Sequence, residues 1–167
     1  MPLFQLFVDT GLSGACVLFE QTQPLRAFRF KKNFEGRGIQ LKPFINFLNS
    51  LPSETIPIIE DPAKVQRSLT STSTQYIVVG QIISAIEMGL HADMEWVSSN
   101  SWTALTKRVY KGRRFKDSKE RSKAFAFAHY PTFGQKDGKL HDGIADCLCM
   151  AKYYFLEQEK ILDRMKD

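Results

Sequence analysis

The chain has 167 residues, of which 43% are hydrophobic and 25% charged, and it carries a net charge of +5. That is ample for one globular domain with its own core and short for two ordinary ones, so a single domain over 1–167 is expected. No apolar run approaches the ~18 residues that a membrane span needs, and the opening MPLFQLFVDTG has neither the basic stretch nor the cleavage site of a signal peptide.

In chain order, LFQLFVD (3–9) is a short apolar run closing on an acid and then Thr-Gly, the pattern of a buried strand and turn. GACVLFE (14–20) follows at hairpin distance, and PLRAFRFKK (24–32) alternates apolar and basic residues as a half-exposed strand does. Phe44, Phe47, Leu48 and Leu51 then mark an amphipathic helix that Pro43 can start and Pro52 can follow. TIPIIED (55–61) is another strand ending in acids, and the polar, Ser/Thr-rich stretch 62–75 reads as a loop. Tyr76, Val79, Ile83 and Ile86 give a helix that Gly89 would end, MEWVSS (94–99) a fifth strand, and Trp102, Leu105 and Val109 a helix capped by Asn100 or Ser101. Beyond it Ala124, Phe127 and Ala128 share one helical face, with Phe125, Phe127, Tyr130 and Phe133 read as core. Trp96 and Trp102 are also read as core. A last helix from Asp142 to about Leu162 has Ile144, Leu148, Ala151, Phe155 and Leu162 inward. The order βββαβαβ followed by helices is that of an α/β domain. Cys16, Cys147 and Cys149 are an odd set without metal spacing, expected to be reduced thiols packed in a core, which suits the cytoplasm of a bacterium or of a phage-infected host.

The charge is concentrated. Lys107, Arg108, Lys111, Arg113, Arg114, Lys116, Lys119, Arg121 and Lys123 stand against Asp117 and Glu120 alone, a net +7 that leaves −2 on the rest of the chain. Such a patch is what a phosphate backbone requires, and a solvated helix surface would read the same way.

Four acids occupy places where a carboxylate is costly. Asp9 and Glu60 each end an apolar strand. Asp146 is the one polar side chain in Ile-Ala-Asp-Cys-Leu-Cys-Met-Ala (144–151), and Asp142 lies one helical turn before it on the same face. A buried carboxylate without a partner costs several kcal/mol or raises its pKa; divalent cations bound by hard oxygens reverse that cost, which points to Mg²⁺ or Mn²⁺. Each acid also has a plain structural reading: Asp9 as an Asx turn, Glu60 as a solvent-facing strand end, Asp142 as a helix N-cap.

With these residues the sequence resembles the RuvC-type Holliday junction resolvases, the phage-borne members most. DTGLSGACVLFE is similar to their first strand-turn-strand, IPIIED to the strand ending in a catalytic glutamate, and VGQIISAIEMG to the helix after it. NSWTALTK, DSKERSKAFAFA and HDGIADCLCMAKYY follow in the family's order. The resemblance implies an RNase H-like fold with a five-stranded mixed sheet, its first three strands antiparallel, flanked by helices. It implies a homodimeric crossover junction endonuclease that nicks four-way DNA symmetrically with two metal ions per active site. Asp9 would bridge the metals, Glu60, Asp142 and Asp146 would complete their shells, and Lys119 would hold the scissile phosphate. The helix at 76–89 is a candidate dimer interface, with core packing an equal reading.

Two positions depart from the bacterial pattern. Gly143 stands where many members have a ligand three residues before the last acid, so Asp142 takes that place from four residues away, beside His141. Residues 62–75 hold no aromatic side chain where bacterial members carry a wedge, which leaves Leu69 as the large apolar candidate. The rival readings are a nuclease for flaps, forks or branched DNA generally, an actin-like phosphate-binding kinase, and an inactive DNA-binding module. The chain has no second Gly-rich phosphate loop for a kinase, and none of the four acids is replaced by a neutral residue.

Overall fold

The computed structural model describes the chain apart from residues 1, 12, 35, 62–68, 137–138 and 167, and apart from side chains 69–73. One sheet organises it. β1 (Phe4–Val8), β2 (Ala15–Glu20) and β3 (Gln23–Arg29) form an antiparallel meander; α1 (Leu41–Leu48) leads to β4 (Ile56–Glu60), and α2 (Leu69–Leu90) to β5 (Glu95–Val97). β4 pairs parallel to β1 and β5 parallel to β4, giving the order β3-β2-β1-β4-β5. This is the five-stranded mixed sheet expected. α3 (Ser99–Val109), α4 (Ser118–His129) and α5 (Asp142–Arg164) complete the fold, with a two-stranded ribbon, β6 (Gln135–Lys136) and β7 (Lys139–Leu140), before α5.

Strand alternation sorts the core into two layers. Leu6, Val8, Cys16, Leu18 and Ile59 pack under α1 and α2, whereas Phe7, Val17, Phe19 and Ile58 pack under α3, α4 and α5. Phe7 meets Phe19, Tyr154 and Phe155 edge-on at 5.2–5.6 Å. By the same alternation the residue after Val8 and the residue after Ile59 face the α3–α5 side. Those residues are Asp9 and Glu60.

Several local expectations change. Residues 69–75 are helical rather than loop: no Gly or Pro interrupts them, and although Ser and Thr are mediocre helix formers they extend the helix that continues to Leu90. Residues 62–68 of the expected loop, and the side chain of Leu69, lie outside what is described. α2 runs past Gly89 to Leu90 and stops at His91, whose φ of +50° is the left-handed C-terminal turn. Gly89 instead packs against Leu48. On α4 the buried face is Ser122, Phe125 and Ala126, with Phe127 55% exposed, since the run Ala-Phe-Ala-Phe-Ala is apolar all round and leaves the phase open. Trp96 is half exposed on the edge strand β5, and Leu162 is exposed near the end of α5; Trp102 is core. The three thiols are free and buried, as expected. No described helix is long and apolar enough to cross a membrane.

Candidate active site

β1 and β4 end side by side: Val8 pairs with Ile59, so Asp9 and Glu60 are the next residues on adjacent parallel strands. The Asp9 turn is closed tightly. Asp9 Oδ1 accepts the Gly11 N–H at 2.9 Å, Asp9 N–H donates to Ala15 O at 3.0 Å, and Gly14 N–H donates to Gly11 O at 2.8 Å. The Asx-turn reading of Asp9 is therefore correct, and it coexists with the site, because the turn fixes the carboxylate against its strand neighbour.

α5 supplies the other two acids. Its N-terminal turn lies directly on the β1–β2 connection: a Cβ at Gly143 would sit 2.7 Å from the Gly14 carbonyl carbon and 2.8 Å from Ala15 N, so only glycine fits. The Cys147 thiol donates to Ala15 O at 3.2 Å from the next turn. There is no space for an acid at 143, which accounts for the departure noted in the sequence; Asp142, one residue earlier, is free of that contact. Alanine at 143 is expected to lower stability by about 1–3 kcal/mol, the range for forcing a methyl group into a packed site, read as a fall in urea midpoint.

The electrostatics set the four acids apart. Burial, then the charges of Asp9 and Asp146, push the Glu60 carboxyl up to about 8, and its protonated form donates a hydrogen bond to Asp9. Burial also raises Asp9, against the Gly11 N–H that favours its charged form. Asp146 is pushed up to about 7 by burial and by Asp9, eased by a hydrogen bond from the buried Ser122 hydroxyl on α4. Asp142 is the exception. Lys123 Nζ at 2.5 Å and Lys119 Nζ at 2.9 Å hold it below the ordinary carboxylate range, and Asp142 in turn raises Lys119. His141, the N-cap of α5, is held down by burial and by Arg29, and its Nδ1 is buried without a hydrogen-bond partner among the described residues. Trp102 Nε1 is likewise buried and turned to Glu60 without closing a well-formed hydrogen bond.

The sequence alone did not identify Ser122 or Trp102 as part of this surrounding. Ser122 sits three residues after Lys119, on the α4 face that packs on α5, whereas the sequence pattern groups Ala124, Phe127 and Ala128 on one face, with Phe127 as core.

The basic segment divides over two faces of α4. Lys119 and Lys123 turn to the acids. Arg121, whose Nε donates to Thr106 Oγ1 at 3.3 Å, lines a hollow of about 550 Å³ with Lys107, Lys111, Arg113 and Arg114. Tyr110 and Phe115 stack edge-on at its floor, 5.3 Å apart, with Arg113 over the Tyr110 ring. Arg108 opens instead on the groove between α3 and α5. Lys116 is exposed at the start of α4, where its N–H donates to Glu120 at 2.6 Å.

In donor chemistry the acid cluster fits hard divalent cations: every group is a carboxylate oxygen, and two of the acids stay protonated near neutrality only through burial and mutual repulsion, which a dication relieves. Among the described residues no three of His, Cys, Asp or Glu close around a single point. Asp142 is occupied by its lysines, and the raised Glu60 carboxyl is turned to Asp9.

No family model matches the sequence, and no curated protein matches it either. Its three-dimensional structure is similar to that of T. thermophilus RuvC in complex with a Holliday junction substrate. The TM-score is 0.52 over 93% of this chain and 96% of that one, at 10% sequence identity. With the order β3-β2-β1-β4-β5, an antiparallel first half and helices on both faces, the chain has a RuvC-like, RNase H-like fold.

Proposed function

We propose that this protein is a metal-dependent endonuclease that resolves four-way DNA junctions. The observation that carries the reading is the gathering of Asp9, Glu60 and Asp146 on one side of a RuvC-like sheet, with Asp142 and two lysines at the rim. The neighbour of this fold was solved with a Holliday junction substrate, which supports branched DNA as the ligand class. Asp9, Glu60 and Asp146 would hold two Mg²⁺ ions, with Mn²⁺ able to replace them, and Asp142 would join on releasing its lysines. Bound there, such a pair supplies charge neutralisation and an activated water.

The chain's own residues do the rest. Lys119 and Lys123, which pair with Asp142 at the rim of the acids, would take up the scissile phosphate. Lys107, Lys111, Arg113, Arg114 and Arg121 grip backbone phosphates in the neighbouring hollow, with Arg108 and Lys116 on the surface around it, and give an affinity that falls steeply with salt. Burial by Trp102 and Ser122 keeps bulk water from the inner carboxylates. Cleavage of two symmetric strands calls for two copies. The inward face of α2 is core (Val78, Val79, Ile82, Ala85, Ile86), so the surface we propose for pairing is its outward side, where Tyr76, Ile77 and Met88 are exposed and Gly80 is open. Buried thiols that form no disulfide suit a reducing cytoplasm.

The test is a substrate panel in Mg²⁺: four-way junction, flap, fork and plain duplex. The junction is expected to be cut fastest, in paired nicks. Equal cutting of plain duplex would end the resolvase reading, and preference for flaps or forks would make the protein a general branch nuclease.

A further inference from the structure

We propose that Phe34 is a base-stacking platform that takes an unpaired nucleobase at the branch of the DNA; this rests on the reading of the protein as a DNA-branch enzyme. Phe34 is 108% exposed, more than any other large hydrophobic residue of the described chain. It stands on a turn that is built rather than loose. Lys32 and Ile39 bridge in antiparallel fashion, Asn33 N–H donates to Gly38 O at 2.7 Å, and Gln40 N–H donates to Lys31 O at 2.8 Å. The Asn33 side-chain oxygen accepts from Arg37 N–H at 3.1 Å and from Gly38 N–H at 3.3 Å, while Gly36, with φ of +70°, closes the corner. On its inner side Ile39 is buried and its N–H donates to Gln81 Oε1 at 3.0 Å, which ties the turn to α2.

The turn segment 31–37 is net cationic, with three bases against the single acid Glu35. Lys31, Lys32 and Arg37 are all exposed and leave Phe34 without an apolar neighbour among them. A single stray hydrophobic side chain on a surface is ordinary; a fully exposed aromatic ring in a hydrogen-bonded turn of net positive charge suits a ligand with a flat π face and a phosphate chain. The place is also right. β3 runs parallel to β1, since both are antiparallel to β2, so the turn after β3 emerges at the sheet end that carries Asp9 and Glu60. Phe30 N–H donates to Gly14 O at 3.1 Å, in the loop that closes the Asp9 turn. A strand crossing the acids can therefore reach the Phe34 turn, and a branch point is where bases lack a stacking neighbour.

The experiment measures binding in EDTA, so that nothing is cut. It compares a four-way junction carrying 5-iododeoxyuridine at the branch with a matched duplex, for wild type, Phe34→Ala and Phe34→Tyr. Phe34→Ala is expected to weaken junction binding about tenfold, the scale of one aromatic–base stack. Duplex binding stays unchanged, Phe34→Tyr keeps the junction affinity, and irradiation of wild type crosslinks the iodinated base to Phe34. Undiminished junction binding by Phe34→Ala overturns the proposal, as does equal loss on junction and duplex. A change confined to self-association overturns it too, making the turn a contact between copies. If wild type cuts junctions in Mg²⁺ while Phe34→Ala binds normally, the stacking role falls and the nuclease reading stands. A Phe34-dependent junction binder that cuts no DNA gives the reverse.

Discussion

Asp146→Asn is expected to lower Mg²⁺-dependent junction cleavage by roughly 10³-fold or more, the scale for a group that acts on the developing charge, and to leave junction binding in EDTA at the wild-type level. The substitution keeps the shape of the side chain and the hydrogen bond from Ser122, and it removes only the charge that repels Asp9. In the proposed reading, binding is the work of bases on α3, α4 and their connection, and Asp146 does not line the hollow they form. Single-turnover cleavage beside a gel-shift titration separates the two. If the variant unfolds, or if it cuts as well as wild type, Asp146 is a structural acid and the metal-site reading fails.

The metal-free protein is expected to lose stability as pH rises from 5 to 8, with a melting temperature lower by several degrees at the upper end, and Mg²⁺ or Mn²⁺ should recover the loss. The sign follows from proton linkage. Glu60 and Asp146 have folded-state values of about 8 and about 7, against ordinary values of 4.5 and 3.8, so the native state holds protons that the unfolded chain has released. Their contribution is intact below the ordinary values and is lost as pH rises through the raised ones. Asp142 works in the other direction, and its stabilising lysine contacts are lost only below the ordinary carboxylate range, outside this window; His141 and His129, held down by burial, oppose the trend within it and are outweighed by the larger shifts of the two acids. A cation binding the deprotonated acids adds stability by mass action, most at pH 8. Asp146→Asn should flatten the pH slope and raise the metal-free melting temperature at pH 8. Differential scanning calorimetry across pH, with and without cation, checks both; a flat wild-type profile would rule out buried, mutually repelling acids.

Much of this was legible from residue order. The strand–turn character of 3–9 and 55–61 follows from apolar runs ending in acids, and the faces of Asp9 and Glu60 follow from parity along β1 and β4. What could not be read was phase where composition is uniform. In α4 the alternating Ala and Phe residues leave every face apolar, so Phe127 was placed inward and Ser122 passed unremarked. The start of α2 was hidden because Ser and Thr are mediocre in helices and favoured in turns, so a run of them reads as a loop. Gly143 was noted as a gap in a pattern, but only the contact with Gly14 and Ala15 gives that gap a cause. The lysines on Asp142 were equally out of reach, since α4 and α5 meet only in three dimensions.

The glycine pair also determines where the site exists along the chain. Gly14 and Gly143 are separated by most of the sequence, yet Gly143 lets α5 settle on the Gly14–Ala15 backbone, while Gly14 lets its own turn close, since a Cβ there would lie 2.2 Å from Asp9 O. No short fragment holds the four acids together: an HDGIAD peptide lacks the strand ends, and the first sixty residues lack the helix. The geometry belongs to the closure of the chain's two ends, so a split of the protein between β5 and α3 would divide the acids evenly, two to each half, and leave reassembly of the fragments as the condition for any site at all.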